Sequence, residues 1–175
     1  WTGAAHNITC SSGTDALLLT LMGLELKAGQ GVIVPSFTFA ASAEVMPCMG
    51  AIPVFAEVEV NSFNLNPEKL PAALAAGKEA GIDVVGIIGV GLFGQPANYG
   101  AIKTFADANG LWLVDDAAQS FGATLNDQPV GQLADVTCTS FFPAKPLGAY
   151  GDGGAIFTDD ARIAEIIRSC RVHGM

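Results

Sequence analysis

Lys145 is one of only five lysines in the chain and sits in the run SFFPAKPLGAYGDGG, residues 140–154. Apolar residues flank it, Pro146 follows it, and a glycine-rich turn comes next. A surface lysine needs none of this company. A lysine held in a partly apolar pocket can lose its proton and attack a carbonyl, forming a Schiff base. That chemistry needs a carbonyl compound held in place, so the rest of the chain must supply a cradle.

Several segments have suitable residue types. Ser12-Gly13-Thr14-Asp15 reads as a helix start. Glycine lets the backbone approach a ligand, and the N–H groups of a first helical turn together with the Thr14 hydroxyl suit a phosphate. An ordinary N-cap with Asp15 in the first turn accounts for the same residues. The stretch has neither the Gly-Lys-Ser/Thr ending of a P-loop nor the spacing of a dinucleotide fingerprint. Asp115-Asp116 closes an apolar run. One of the two could face a pocket and pair with a protonated ring nitrogen or a metal; a solvated strand end is the alternative. Gln119, three residues beyond Asp116, could reach the same ligand. Phe39 offers a flat surface for a ring, though a core phenylalanine is commoner. Ser140 could add a hydroxyl to a phosphate site or simply end a strand. His6 and His173 lie at opposite ends of the chain, and no Ser–His–Asp arrangement is visible. Together these groups make a phosphate cradle, a ring platform, a carboxylate, a side-chain amide and a lysine. Pyridoxal 5′-phosphate needs all five. A carboxylate keeps its pyridine nitrogen protonated, and a lysine carries its aldehyde.

These groups require a scaffold that brings distant segments together. The patterning predicts strands at 8–10, 31–35, 53–58, 84–90, 111–115, 136–141 and 155–158. It predicts helices at 13–23, 40–49 (despite Pro47), 67–76, 99–108 and 161–171, with Pro67 opening the third. Near-continuous apolar strands mark a parallel sheet covered on both faces, and the alternation with helices marks a three-layer α/β/α domain. In such sheets ligands bind beyond the carboxyl ends of the strands. The conspicuous residues follow four of those ends, so they converge on one sheet edge if the strands there are parallel.

Composition excludes several classes. Of the 175 residues, half are hydrophobic and 14% charged, which is globular rather than disordered. The net charge of −9 argues against nucleic acid. The longest apolar run, 84–92, is broken by Gly86, Gly89 and Gly91 and is too short to span a membrane. Cys10, Cys48, Cys138 and Cys170 lack metal-ligand spacing, which predicts no metal site and a reduced, cytoplasmic protein with buried thiols. The chain opens at Trp1 without a Met or a signal-like segment and ends abruptly after RVHG. It is therefore expected to be the incomplete large domain, residues 1–175, of a longer protein whose N-terminal segment and C-terminal small domain lie elsewhere.

The sequence resembles the DegT–DnrJ–StrS sugar aminotransferases, pyridoxal-phosphate enzymes of the aspartate-aminotransferase fold (fold type I). The stretches that carry the resemblance are SSGTDALLL at 11–19, VPSFTFAASAE at 34–44, GAIPVFAEV at 50–58, FNLNPEKL at 63–70, LFGQPANYGAI at 92–102, VDDAAQSFGA at 114–123, SFFPAKPLGAYGDGGAIFTDD at 140–160 and RVHG at 171–174. The resemblance implies roles. Lys145 would be the Schiff-base lysine, Asp116 would face the pyridine nitrogen, and Gln119 would lie near the ring hydroxyl. Gly13, Thr14 and Ser140 would hold the phosphate, and Phe39 would stack on the ring. It implies transfer of an amino group from an amino acid, glutamate by analogy, to a nucleotide-linked keto-sugar for surface polysaccharide, in a homodimer. Pro146, where most members carry Asn, is similar to a subset that aminates a 3-keto nucleotide-linked uronic acid. Dehydratase relatives carry His in place of Lys145, so the lysine favours transamination. Sugar dehydration and a non-catalytic binding module stay open as alternatives. Departures from the family pattern are Gly29-Gln30-Gly31-Val32, Asn98 and Gly91.

Overall fold

The computed structural model describes residues 2–174. Nine strands and five helices alternate along them. The strands are β1 (His6–Cys10), β2 (Gln30–Pro35), β3 (Ile52–Ala56), β4 (Asp83–Val90), β5 (Trp112–Asp116), β6 (Thr124–Leu125), β7 (Gln128–Pro129), β8 (Val136–Ser140) and β9 (Gly154–Thr158). The helices are α1 (Gly13–Gly23), α2 (Ala41–Cys48), α3 (Leu70–Glu79), α4 (Tyr99–Asn109) and α5 (Ala161–Arg171). Seven strands form one sheet in the order β1-β9-β8-β5-β4-β2-β3. Every neighbouring pair is parallel except the two made by β9, so β9 alone runs backwards. The carboxyl ends of the other six strands therefore share an edge, as the convergence of the four segments requires.

Helices α1, α2 and α5 cover one face of the sheet, packing Leu17, Leu21, Val45, Met46, Ile163 and Ile167 against Val34, Ile88, Val114 and Ile156. Helices α3 and α4 cover the other, packing Leu70, Leu74, Tyr99 and Ile102 against Ile33, Ile87 and Leu113. The two cores give the expected α/β/α layering. Alternation along the strands decides which residue faces which layer. On β5, Leu113 belongs to the α3/α4 layer and Val114 to the α1/α2/α5 layer.

Some boundaries moved. The third helix was expected from 67 to 76. Residues Pro67–Lys69 instead form a 3₁₀ turn capped by Asn66, and α3 starts at Leu70 with Pro71 in its first turn. Strand β3 ends at Ala56 rather than at Val58. The apolar Val58 belongs to a small returning loop, bridging to Leu65 while the Glu59 N–H donates to the Asn64 carbonyl. Strands β6 and β7 were not foreseen. Asn126 and Asp127 both take positive φ, 50° and 65°, and make a tight turn of the mirror-image kind that two-residue hairpins use. The expectation of buried thiols holds for Cys138 alone; Cys10 and Cys170 are half-buried and Cys48 is exposed. Among the described residues no helix is long and apolar enough to cross a membrane, and no cluster of metal-ligating side chains occurs.

Candidate active site

Ser12 begins the site. Its Oγ accepts from the Asp15 N–H at 3.0 Å and caps α1. The capping reading of this segment is therefore correct for Ser12, and it leaves the first-turn N–H groups of Gly13 and Thr14 without a helical carbonyl. The loop is tightly packed. A Cβ on Gly13 would come within 2.6 Å of the Ser140 Cβ, and one on Gly154 within 2.2 Å of the Ser12 carbonyl oxygen. Glycine at both positions lets the start of α1, the end of β8 and the start of β9 meet.

These segments border a cavity of about 390 Å³ at the carboxyl edge of the sheet. Its lining includes Gly13, Thr14, Phe39, Asp116, Gln119, Ser140 and Lys145, so all seven residues singled out in the sequence are brought together. Lys145 is half-buried and its Nζ lies 5.8 Å from the centroid of the Phe39 ring. Phe39 is 66% exposed, so it is an open platform and not a core residue. Ser140 is buried, and its Oγ accepts from the Phe142 N–H at 3.2 Å. Thr14 is exposed at the rim. Gln119 is fixed from the side, its Oε1 accepting from the Phe93 N–H at 3.0 Å.

Asp116 is 6% exposed and Asp115 fully buried, so neither is a solvated strand end. Asp116 Oδ2 accepts from the Ser42 hydroxyl at 2.7 Å and Oδ1 from the Ala118 N–H at 3.2 Å. Burial pushes its carboxyl above the usual aspartate range; Ser42, the Ala118 N–H and the positive charge of Lys145 pull the other way. Each oxygen takes only one hydrogen bond and so keeps acceptor capacity for a donor in the cavity. A protonated ring nitrogen is such a donor. With a flat aromatic surface, first-turn N–H groups and an amine in the same cavity, the residues present fit pyridoxal phosphate.

Ser42 was missed in the sequence. Its signal is a small polar residue on the buried face of α2, one turn after Thr38, whose hydroxyl lies 3.1 Å away. Phe93 was missed as well. It sits at φ 57° and borders a second, open hollow of about 570 Å³ that shares Gln119, Ala144 and Lys145 with the first. Its ring packs edge-on at 6.0 Å against Phe63, which packs at 5.5 Å against Phe37. All three are exposed at the rim.

Two sequence departures acquire reasons. A Cβ on Gly91 would lie 2.1 Å from the Ser120 Oγ, so Gly91 and Ser120 fit only as a pair. Asn98 caps α4, its Oδ1 accepting from the Ala101 N–H at 3.3 Å, the task an aspartate would perform. The arginines of α5 lie away from the cavity. Arg162 pairs with Glu25, and Arg171 donates to the Thr9 carbonyl. Arg162 lies in the first turn of α5, so only Arg168 and Arg171 complement the helix dipole.

The profile of the DegT/DnrJ/EryC1/StrS aminotransferase family matches residues 1–175. A UDP-2-acetamido-2-deoxy-3-oxo-D-glucuronate aminotransferase of Pseudomonas aeruginosa is 45% identical over 98% of this chain and 46% of its own length. A UDP-N-acetyl-3-dehydro-alpha-D-glucosamine 3-aminotransferase of Acidithiobacillus ferrooxidans is 44% identical over 98% of this chain and 45% of its own. The crystal structure of a DegT DnrJ EryC1 StrS aminotransferase from Brucella abortus superposes with a TM-score of 0.96 at 48% identity, covering 99% of this chain and 47% of that one. The chain thus spans less than half the length of the relatives it matches.

Proposed function

This chain belongs to the DegT/DnrJ/EryC1/StrS aminotransferase family, and we propose that it serves a pyridoxal-phosphate-dependent transfer of an amino group from an amino acid, glutamate by analogy, to the keto group of a nucleotide-linked sugar. The observation that carries this reading is the meeting of Lys145, Phe39 and Asp116 in one cavity at the ends of parallel strands. The two relatives named for 3-oxo UDP-sugars support a 3-keto substrate, in keeping with Pro146.

Bound pyridoxal phosphate supplies an aldehyde carbon that exchanges amines and a cationic ring that takes up electron density. The chain supplies the rest. Gly13 and Thr14 N–H groups and the Ser140 and Thr14 hydroxyls hold the phosphate. Phe39 covers one ring face and excludes water from it. Asp116, steadied by Ser42, keeps the proton on the ring nitrogen. Lys145 Nζ, which lines the cavity beside Phe39, would hold the cofactor's aldehyde. The same Nζ, when free, would serve as the general base and acid that moves a proton at the substrate carbon. The open hollow beside Lys145 leaves room for a keto-sugar to approach. The exposed aromatic rim of Phe37, Phe63 and Phe93 supports assembly as a homodimer, because a contiguous apolar patch marks a contact surface. The cytoplasm is the compartment proposed, on the four free thiols.

Borohydride reduction after incubation with pyridoxal phosphate tests the reading. The expected product is a covalent adduct on the peptide carrying Lys145, absent in Lys145→Ala. An adduct elsewhere, or one retained in that variant, removes Lys145 from its role. Assay of amine transfer from glutamate to UDP-linked 3-keto sugars tests the substrate class.

A further inference from the structure

Tyr99 and Asp115 form a pair that this mechanism leaves unused. Tyr99 opens α4, is 1% exposed, and its hydroxyl donates to Asp115 Oδ1 at 2.5 Å. The ring lies against β4 at Gly89, where a Cβ would come within 2.8 Å of it. Gly89 is the register partner of Asp115 on β4, and Thr137 is its partner on β8. Asp115 Oδ2 and Thr137 Oγ1 are buried without a hydrogen-bond partner. Asp115 and Asp116 are consecutive on β5, so they face opposite layers: Asp115 meets Tyr99 behind the sheet, and Asp116 meets Ser42 and the cavity in front.

Two buried carboxyls on adjacent residues cannot both ionise cheaply, since each raises the cost of the other's charge. The hydrogen bonds decide which one yields. Asp116 has a hydroxyl on one oxygen, a backbone N–H on the other, and the Lys145 ammonium nearby. Asp115 has Tyr99 on one oxygen and, on the β8 side, only the Thr137 hydroxyl, whose downward pull on the carboxyl is weaker still. Among the described residues no cation faces it: β4 presents Gly89, β8 presents Thr137, and the thiol of Cys138 on the front face is itself held neutral by burial. Lys103, on α4, pairs with Asp107 and Asp135.

We propose that Tyr99 and Asp115 are a positioning pair for Asp116: burial behind the sheet favours the neutral form of the rear carboxyl, the Tyr99 hydroxyl fixes its orientation and sets where it ionises, and Asp116 is left as the sole anion offered to the cofactor's ring nitrogen. The proposal rests on the reading of the cavity as a pyridoxal-phosphate site. Burial, and then the Asp116 charge, raise the Asp115 carboxyl to about 7, against the downward pull of the Tyr99 and Thr137 hydroxyls. Ionisation of Asp115 above that range strengthens the hold of Asp116 and the ring nitrogen on their shared proton.

Two titrations of the chain test the pair. In the first, the absorption of bound pyridoxal phosphate is followed against pH. A step near neutrality is expected; Asp115→Asn should remove it, and Tyr99→Phe should move it upward by about one to two pH units, the equivalent of a lost charge-assisted hydrogen bond. In the second, carboxyl carbon NMR follows Asp115 and Asp116 without cofactor. Asp115 is expected to titrate near neutrality and to perturb Asp116 as it does. Tyr99→Phe is the conservative variant should Asp115→Asn fold poorly. Independent titration of the two carboxyls, or variants that lose stability while the step stays put, would overturn the proposal and leave the pair as packing. Failure to bind pyridoxal phosphate would overturn the site reading instead, and the NMR titration would still decide the pair.

Discussion

The Ser42 hydroxyl donates to Asp116 Oδ2 at 2.7 Å across 74 residues of sequence, tying α2 to the end of β5 inside the cavity. A hydrogen bond to a charged group contributes about 1.5–3 kcal/mol. Ser42→Ala should therefore weaken pyridoxal phosphate binding by about tenfold or more, while Ser42→Thr keeps the donor and most of the affinity. Fluorescence titration of cofactor into the two variants measures this. Equal affinities would show that Ser42 does not steady Asp116.

Glycine 154 should be intolerant of any side chain. Its added Cβ would meet the Ser12 carbonyl oxygen at 2.2 Å and the Gly13 nitrogen at 3.0 Å, backbone atoms that cannot swing aside. Gly154→Ala is expected to cost about 1–3 kcal/mol, as overpacking does. For a chain of this size that lowers Tm by roughly 2–12 °C. Gly151→Ala, where nothing lies within 4 Å, should leave Tm unchanged. Calorimetry on the pair of variants gives the comparison.

Stability should fall as pH rises toward neutrality. Asp115 moves from an ordinary 3.8 to about 7 on folding, so between those values the folded chain binds more protons than the unfolded one. The contribution is fully present below 3.8 and is lost as pH climbs through about 7. A shift of this size amounts to at most on the order of 4 kcal/mol. Thermal unfolding from about pH 4 to 8 should show the decline, and Asp115→Asn should flatten it. A variant curve parallel to the wild type would count against a buried, neutral Asp115.

Thiol chemistry should rank by position. Cys138 is buried, with its Sγ 3.1 Å from the Thr20 hydroxyl, and burial raises it well above the usual thiol range. Cys48 is exposed on the last turn of α2. Alkylation followed by mass spectrometry should modify Cys48 first and Cys138 only after unfolding. Early labelling of Cys138 would mean that the core under α1 opens in the native state.

Legibility in the sequence followed the strength of local signals. Helices α1 and α5 run over 13–23 and 161–171 as expected, because Ser12 and Asp160 cap them with side-chain hydrogen bonds. Strand ends were less certain where apolar residues run on past the ladder, as at Val58. The seven candidate residues share a cavity because parallel strands carry them to one edge, a rule of topology readable in the alternation. Ser42 was not legible, since nothing within its own helix marks a partner 74 residues away. Nor was the division of labour between Asp115 and Asp116, which depends on which face each takes and on what α2 and α4 bring there.

Ser140 and Gly154 are register partners on β8 and β9. The segment 141–153 between them, which carries Lys145, therefore leaves and re-enters the sheet at a single paired position. Its length and composition can change while the ladder beneath it stays intact, because loop closure costs grow only slowly with length. Exchange of this segment for that of a relative should thus carry Lys145 along and leave the strands untouched.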